Sequence, residues 1–419
     1  MHPSIRTTIS PLFSLAIFAF FAVNLVAFRQ IAFAASEPPR LFILKFTDLI
    51  DSKRRIDAND STLLPAFTRL KRDADRALES KNLSVTHKEL APPTGDKHDY
   101  MSIAPYWWPN PNTSNGLPYI RRDGHVNPER DQTSDRKRLD NLIQSVKVLG
   151  LGYFYTGRED YSAHGSHLLR TWFLEEATKM APHLRYAQAV PGRNQGRGAG
   201  IIETHNLPEL VDAVGLLSGS KSWSQSDQKS LYDWFDSYLA WLLKDPQARA
   251  ESKAENNHGT WFDVQIASYA LFFNKNEIAR NVLSHFSAQR TAKQIEPGGR
   301  QPYELERTQA WSYSIFNLEA MFNAAAIADK LGIDLWNYET SDKRSIRKAL
   351  DYLIPFATGE KKWTYKEISA FEPQKLAPLL RRAAIVYREP AYEEAIAKLP
   401  KLTGDERWRF LYPKPLERR

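Results

Sequence analysis

The 419-residue sequence contains no cysteine. That excludes a disulfide framework and any thiolate-held metal site. It has no fixed-length repeat, which argues against a regular solenoid. Strand signals are few, and no RNA- or DNA-binding signature is visible. Nucleic acid is therefore not the expected partner, although the chain is basic, with a formal charge of +8 and a pI of about 9.3. Lysines and arginines are spread along the chain, and tryptophans and tyrosines lie beside them in several places. Basic charge favours an anionic partner and aromatic ring faces stack on sugars, so an acidic polysaccharide suits this pattern best. No cluster of metal-ligating side chains stands out. His164 and His167 are three apart, but an exposed helix face accounts for them without further ligands. Neither a metal nor a cofactor is expected.

A long apolar run does occur at the start. Arg6 lies in a short basic lead, Pro11 to Phe28 is almost wholly apolar, and Ala32-Phe33-Ala34 supplies a small-residue cleavage pattern. This reads as an export signal over 1–34, leaving one mature domain over 35–419 in the periplasm or outside the cell, with no stable membrane association. The length of the run and the interrupting Arg29 make an uncleaved anchor the rival reading. Without Arg6 and Arg29 the chain keeps a formal charge of +6.

Beyond the signal, helical spacing dominates. Helices are expected at Phe42 to Ile50, Leu63 to Leu78, Leu139 to Tyr155, His167 to Met180, Ile201 to Leu217, Ser224 to Leu243, His258 to Phe273, Glu277 to Gln289, Arg307 to Leu331, Ser341 to Phe356 and Ala370 to Lys398. Ser224 and Ser226 are candidate caps for an amphipathic helix carrying Leu231, Trp234, Phe235, Tyr238 and Leu242 on one stripe. Two segments break the pattern. His87 to Asp135 is rich in proline, glycine and aromatics, including Trp107 and Trp108, and reads as an ordered, substrate-facing loop. Ala181 to Gly200 is a second loop, carrying Tyr186, Gln188, Arg193 and Arg197. The succession of antiparallel helix pairs points to an all-α protein, an α/α toroid with long loops on one side of a cleft.

Two stretches carry the chemistry. One is Glu255-Asn256-Asn257-His258-Gly259-Thr260-Trp261, the other Glu306-Arg307-Thr308-Gln309-Ala310-Trp311-Ser312-Tyr313. Together they offer amide, imidazole, guanidinium and phenol groups, a set suited to removing a carbon-bound proton beside a carboxylate. Each residue also has a plainer reading. Asn-Asn-His-Gly can simply cap a helix, Tyr313 can be a core aromatic, and Arg307 can pair in solvent with Glu304 or Glu306.

Asn-Asn-His-Gly-Thr-Trp, Arg-Thr-Gln-Ala-Trp-Ser-Tyr-Ser and His-Asp-Tyr-Met-Ser…Ala-Pro-Tyr-Trp-Trp-Pro-Asn-Pro resemble the alginate lyase superfamily of polysaccharide lyases. The early loop and the spacing are most similar to polysaccharide lyase family 38, whose members cleave glucuronan or mannuronate-rich alginate. The resemblance runs from about Lys97 to Leu331. It implies an incomplete α/α barrel and a metal-independent lyase, with Asn257 and His258 as carboxylate neutralisers, Arg307 as the active-site arginine and Tyr313 as the catalytic tyrosine. Asn256, Trp107, Trp108, Tyr186, Gln188 and Arg197 are the candidates for the sugar-binding cleft. The arginine-to-tyrosine stretch differs from that of mannuronate-specific enzymes, which leaves glucuronan and polymannuronate both open.

The implied reaction is β-elimination at a uronate linked through its C4 oxygen. In β-mannuronate and β-glucuronate the C5 hydrogen and C4 oxygen share a ring face, so Tyr313 can serve as both base and acid if Arg307 lowers its pKa. With guluronate, His258 would be the base and Tyr313 the acid. Two rivals belong to other classes. A glycoside hydrolase needs paired carboxylates, for which Glu203, Glu255, Asp263 and Glu306 are available without a clear constellation. A non-catalytic polysaccharide-binding protein would keep the basic aromatic cleft but leave the polymer uncut.

Overall fold

Asn256 and Gln309 mark the points where the two chemistry-bearing stretches turn into long helices, and the fold is built around those helices. The computed structural model describes residues 38–81, 83–131, 135–400 and 406–414. The expected export segment lies outside these described residues. In chain order the first helices are α1 (Phe46–Asp57), α2 (Leu64–Ala77), α3 (Asp135–Thr156), α4 (Glu159–Leu169), α5 (Leu207–Leu217), α6 (Gln225–Lys244), α7 (Pro246–Glu251), α8 (Asn257–Phe272) and α9 (Asn276–Phe286). Then follow α10 (Ala292–Gln294), α11 (Pro302–Leu305), α12 (Ala310–Asp329), α13 (Ile346–Ala357), α14 (Ala377–Tyr387), α15 (Pro390–Lys398) and α16 (Trp408–Leu411).

Helices α8 and α12 are buried almost all round. A helix without a polar face belongs inside a larger assembly rather than on its surface. These two pack on each other, α5 packs on α8, and α3 packs on α5, forming an inner row. Amphipathic partners lie outside that row: α4 against α3, α6 and α9 against α8, and α13 against α12. The result is the expected α/α toroid. Helix α6 follows its sequence signals closely. Ser224 accepts from the Asp227 N–H while Asp227 answers to the Ser224 N–H, and the predicted apolar stripe is buried.

Several boundaries differ from expectation; α5 begins only at Leu207, after a tighter helical stretch over Gly198–Thr204, and α13 only at Ile346. The helix expected over His167 to Met180 is α4, which begins just after Gly157 and ends in a wide π-type turn, Arg170–Leu174. Arg170 is pinned there by Asp227 and the Ser222 carbonyl, so the chain leaves the helix to meet α6. The expected Ala370 to Lys398 helix is two helices, split where Arg388 takes a left-handed conformation (φ 53°) ahead of Pro390. A residue near a proline resists continued helix, and Pro390 lacks the N–H to extend it. At the start of the chain, Phe42, Ile43 and Leu44 are not helical, because their N–H groups all donate to the buried Asp212 carboxylate.

The two irregular segments are not independent. The first contains β1 (Met101–Ile103), β2 (Trp107–Trp108) and β3 (Ile120–Arg121), and the second contains β4 (Tyr186–Ala189). Strand β1 pairs in parallel with β4, while β2 and β3 form an antiparallel hairpin. Buried Glu203 accepts from the hydroxyls of Tyr100 (2.7 Å) and Ser102 (2.6 Å), and the Ser102 oxygen accepts the Gln188 N–H (2.8 Å). The two loops therefore form one wall.

Candidate active site

Helix α8 begins at the Asn-Asn-His motif. Asn256 is the N-cap, its side-chain oxygen accepting the His258 N–H at 3.2 Å. That is the plainer reading of the motif, and it also serves the site, because capping fixes the next two residues on the first turn. Asn257 is fully buried. Its backbone N–H and its side-chain amide donate to the two oxygens of buried Glu304, at 2.7 and 2.8 Å. The His258 Nδ1 meets the carboxylate of Glu251, seven residues back at the end of α7, at 2.5 Å. That contact fixes the orientation of the imidazole ring.

Residues Arg307 to Gln309 stay outside α12. The Ala310 N–H is taken by the Lys366 carbonyl and Gln309 bridges to Glu367, which delays the helix until Ala310. Arg307 does not pair in solvent with its sequence neighbours Glu304 and Glu306. Its partner is Asp123, 184 residues upstream, which takes Nε at 3.1 Å and Nη2 at 2.8 Å. Burial would raise the Asp123 carboxyl. Its hydrogen bonds and charge contacts with Arg307, together with the Thr308 N–H, outweigh that and hold it down at about 2. Gly124 makes this approach feasible: it sits at φ +73°, and a Cβ there would lie 2.3 Å from the Thr308 hydroxyl.

The Arg307 guanidinium lies over the face of the Tyr313 ring, 3.8 Å from its centroid. The Tyr313 hydroxyl is 2.7 Å from that of Tyr106, in the turn between β1 and β2. This corrects one expectation. Tyr313 is not lowered by its arginine: burial, followed by the neighbouring Tyr106, pushes its phenol well above the ordinary value, and Arg307 opposes that only in part. The cation sits over the ring rather than at the oxygen, and Asp123 already compensates its charge.

The structure brings some of the candidate binding residues to this set and leaves others apart. Arg197 donates to the Gln188 side chain at 2.7 Å and lies, like Arg193, over Trp107, at 5.8 and 5.1 Å from the ring centroid. Burial pulls Arg197 below the usual guanidinium range, and Glu251, the partner of His258, acts against that shift. Trp107, Gln188 and Arg197 thus adjoin the His258 side of the cleft. Trp108 stacks instead with Arg122 and donates to the His125 carbonyl. Tyr186 packs edge-on against His183. Neither touches the catalytic candidates. Three of the four carboxylates considered for a hydrolase are committed elsewhere, and the fourth, Glu306, is exposed. Glu203 holds the wall, Asp263 pairs with buried Arg290, and Glu255 accepts from exposed Tyr303.

An α/α toroid whose cleft gathers amide, imidazole, guanidinium and phenol groups defines a polysaccharide lyase. The chain belongs to the alginate lyase family, whose model matches residues 84–363. It is similar to the crystal structure of an alginate lyase from Bacteroides ovatus, with 39% identity and a TM-score of 0.86 over 89% of this chain and 99% of that one. Alginate lyase A1-III from Sphingomonas species A1 shares the fold at 15% identity, with a TM-score of 0.52 over 83% of this chain and 95% of that one. A variant of alginate lyase A1-III complexed with a tetrasaccharide matches at 14% identity and a TM-score of 0.53, over 81% of this chain and 90% of that one. No curated protein matches.

Proposed function

We propose that this lyase cleaves a β-1,4-linked polyuronate, glucuronan or mannuronate-rich alginate, by metal-independent β-elimination, as resemblance to polysaccharide lyase family 38 suggests. The observation that supports the reading is the meeting of Arg307, Tyr313 and Tyr106, with Glu304 of the same segment bonded to Asn257 at the N-terminus of α8. A C5 proton becomes removable only when the neighbouring carboxylate is neutralised. Asp123 takes Nε and Nη2 of Arg307, so Nη1 is the corner that would meet that carboxylate, beside Asn257 and His258. Tyr313, as its phenolate, would take the C5 proton as the C4–oxygen bond breaks. The electron pair forms the C4–C5 double bond, and the proton passes from Tyr313 to the leaving oxygen. The Arg307 guanidinium over the ring would favour the phenolate, against the burial and the Tyr106 contact that raise the phenol. Export of the mature chain beyond the cytoplasm is part of the same proposal, motivated by the basic lead, apolar run and Ala32-Phe33-Ala34 pattern.

The test is a panel of purified polyuronates incubated with chelator-treated enzyme and followed by ultraviolet absorbance. Unsaturated products from polyglucuronate or polymannuronate are expected. Saturated reducing ends, an uncut polymer, or a complete loss of activity restored by one divalent metal would each overturn the reading. Intact-mass analysis of exported protein should give an N-terminus near Ala35.

A further inference from the structure

Glu304 carries an argument that the reaction scheme does not use. Its carboxylate is 1% exposed and is fully engaged by Asn257, one oxygen on the backbone N–H and the other on the side-chain amide. The Asn257 amide therefore commits one of its two N–H groups to Glu304, while its Oδ1 is buried without a hydrogen-bond partner. That unpartnered oxygen cannot serve a substrate carboxylate, since both are acceptors. Rotating the amide by half a turn exchanges the two atoms in place. That arrangement requires Glu304 to donate, which a carboxylic acid does and a carboxylate cannot.

We infer that Glu304 is a positioning residue that takes up a proton when substrate binds, turning the Asn257 amide so that its NH2 group faces the substrate carboxylate. This deepens the lyase reading above and rests on it. The groups facing Glu304 are Asn257 and His258 from α8 and Arg307 from its own segment, with Glu251 behind His258 and Asp123 behind Arg307. Burial raises the Glu304 carboxyl, while the hydrogen bonds from Asn257 and the charges of Arg307 and His258 pull against it. A substrate carboxylate brought against the same amide tips that balance, because two acidic groups sharing a site cannot both stay ionised. The proton comes from solvent, and the site gains the donor that the developing dianion needs.

The experiment uses Tyr313→Phe enzyme, expected to bind an oligosaccharide while cleaving it far more slowly, and a mannuronate or glucuronate tetrasaccharide as the probe. Calorimetry in buffers of different ionisation enthalpy, from about pH 6 to about pH 9, counts the protons taken up on binding. Net proton uptake on binding is expected somewhere in that range. In Tyr313→Phe/Glu304→Gln the uptake should vanish while binding persists, because glutamine donates to Asn257 as the protonated acid would. With Tyr313 intact, Glu304→Gln should retain turnover within about ten-fold and Glu304→Ala should lose about a hundred-fold or more. Cleavage and binding without uptake at any pH would overturn the proposal alone. So would a Glu304→Gln enzyme with wild-type melting that is as inactive as Glu304→Ala. A parent enzyme that neither binds nor cleaves any polyuronate would overturn the lyase reading and this inference together.

Discussion

Tyr313 and Asp123 show how far single side chains depend on partners remote in sequence. Tyr313→Phe removes a hydroxyl that bonds only to Tyr106 among the described residues, so the ring and its arginine contact should persist. Turnover is expected to fall by roughly two to four orders of magnitude with little change in KM. A lower melting temperature with turnover intact would instead assign Tyr313 to the core. Asp123 makes the opposite kind of claim. Its folded pKa is depressed to about 2, so its contribution to stability is in place above the unfolded value near 4 and is lost as pH falls through about 2. Asp123→Asn should flatten that part of the acid unfolding curve. It should also release Arg307 and lower turnover by about ten-fold or more, as expected when a charge-binding group shifts from its working geometry. An unchanged rate would mean that Arg307 is held by its stacking on Tyr313 alone.

At the scale of the element, the start of α8 is the most constrained helix end in the site. A Cβ on Gly259 would lie 2.1 Å from the Ala254 carbonyl and 2.3 Å from the Arg290 guanidinium. That carbonyl accepts from Arg290, which also binds Asp263, so Gly259→Ala should disturb a buried ion pair and the first turn together. A drop in melting temperature and a loss of turnover should appear in one variant. Asn256→Ser keeps a capping oxygen and should cost little, whereas Asn256→Ala should cost about 1 kcal/mol of stability. If Asn256→Ser loses binding at full stability, Asn256 contacts sugar as well as capping. The helices themselves were legible because burial on one face imposes a 3.6-residue period, as in α6. The motif residues were legible because they fall within two short stretches. Glu251, Glu304, Asp123 and Tyr106 were not, since their roles come from contacts across the fold and carry no spacing of their own. A weak signal existed for Glu251, one of few acidic residues close before the histidine. Pro390 was a plain signal for the split between α14 and α15 that the apolar pattern obscured.

For the whole molecule, the parallel pairing of β1 with β4 has a mechanical meaning. The strands belong to segments more than eighty residues apart, and Glu203 ties Tyr100 and Ser102 of one to the Gln188 backbone of the other through the Ser102 hydroxyl. Neither segment can lift from the cleft without breaking the shared bonds. The amides of Met101 to Ala104 and of Ala187 to Val190 should therefore exchange with deuterium at one common rate, as a single cooperative opening. Glu203→Ala should accelerate both sets together, while separate rates would show two independent flaps. On the proposed function, a polymer would meet two segments already bonded to each other, so the energy of seating each sugar would go into aligning it rather than into ordering the binding surface.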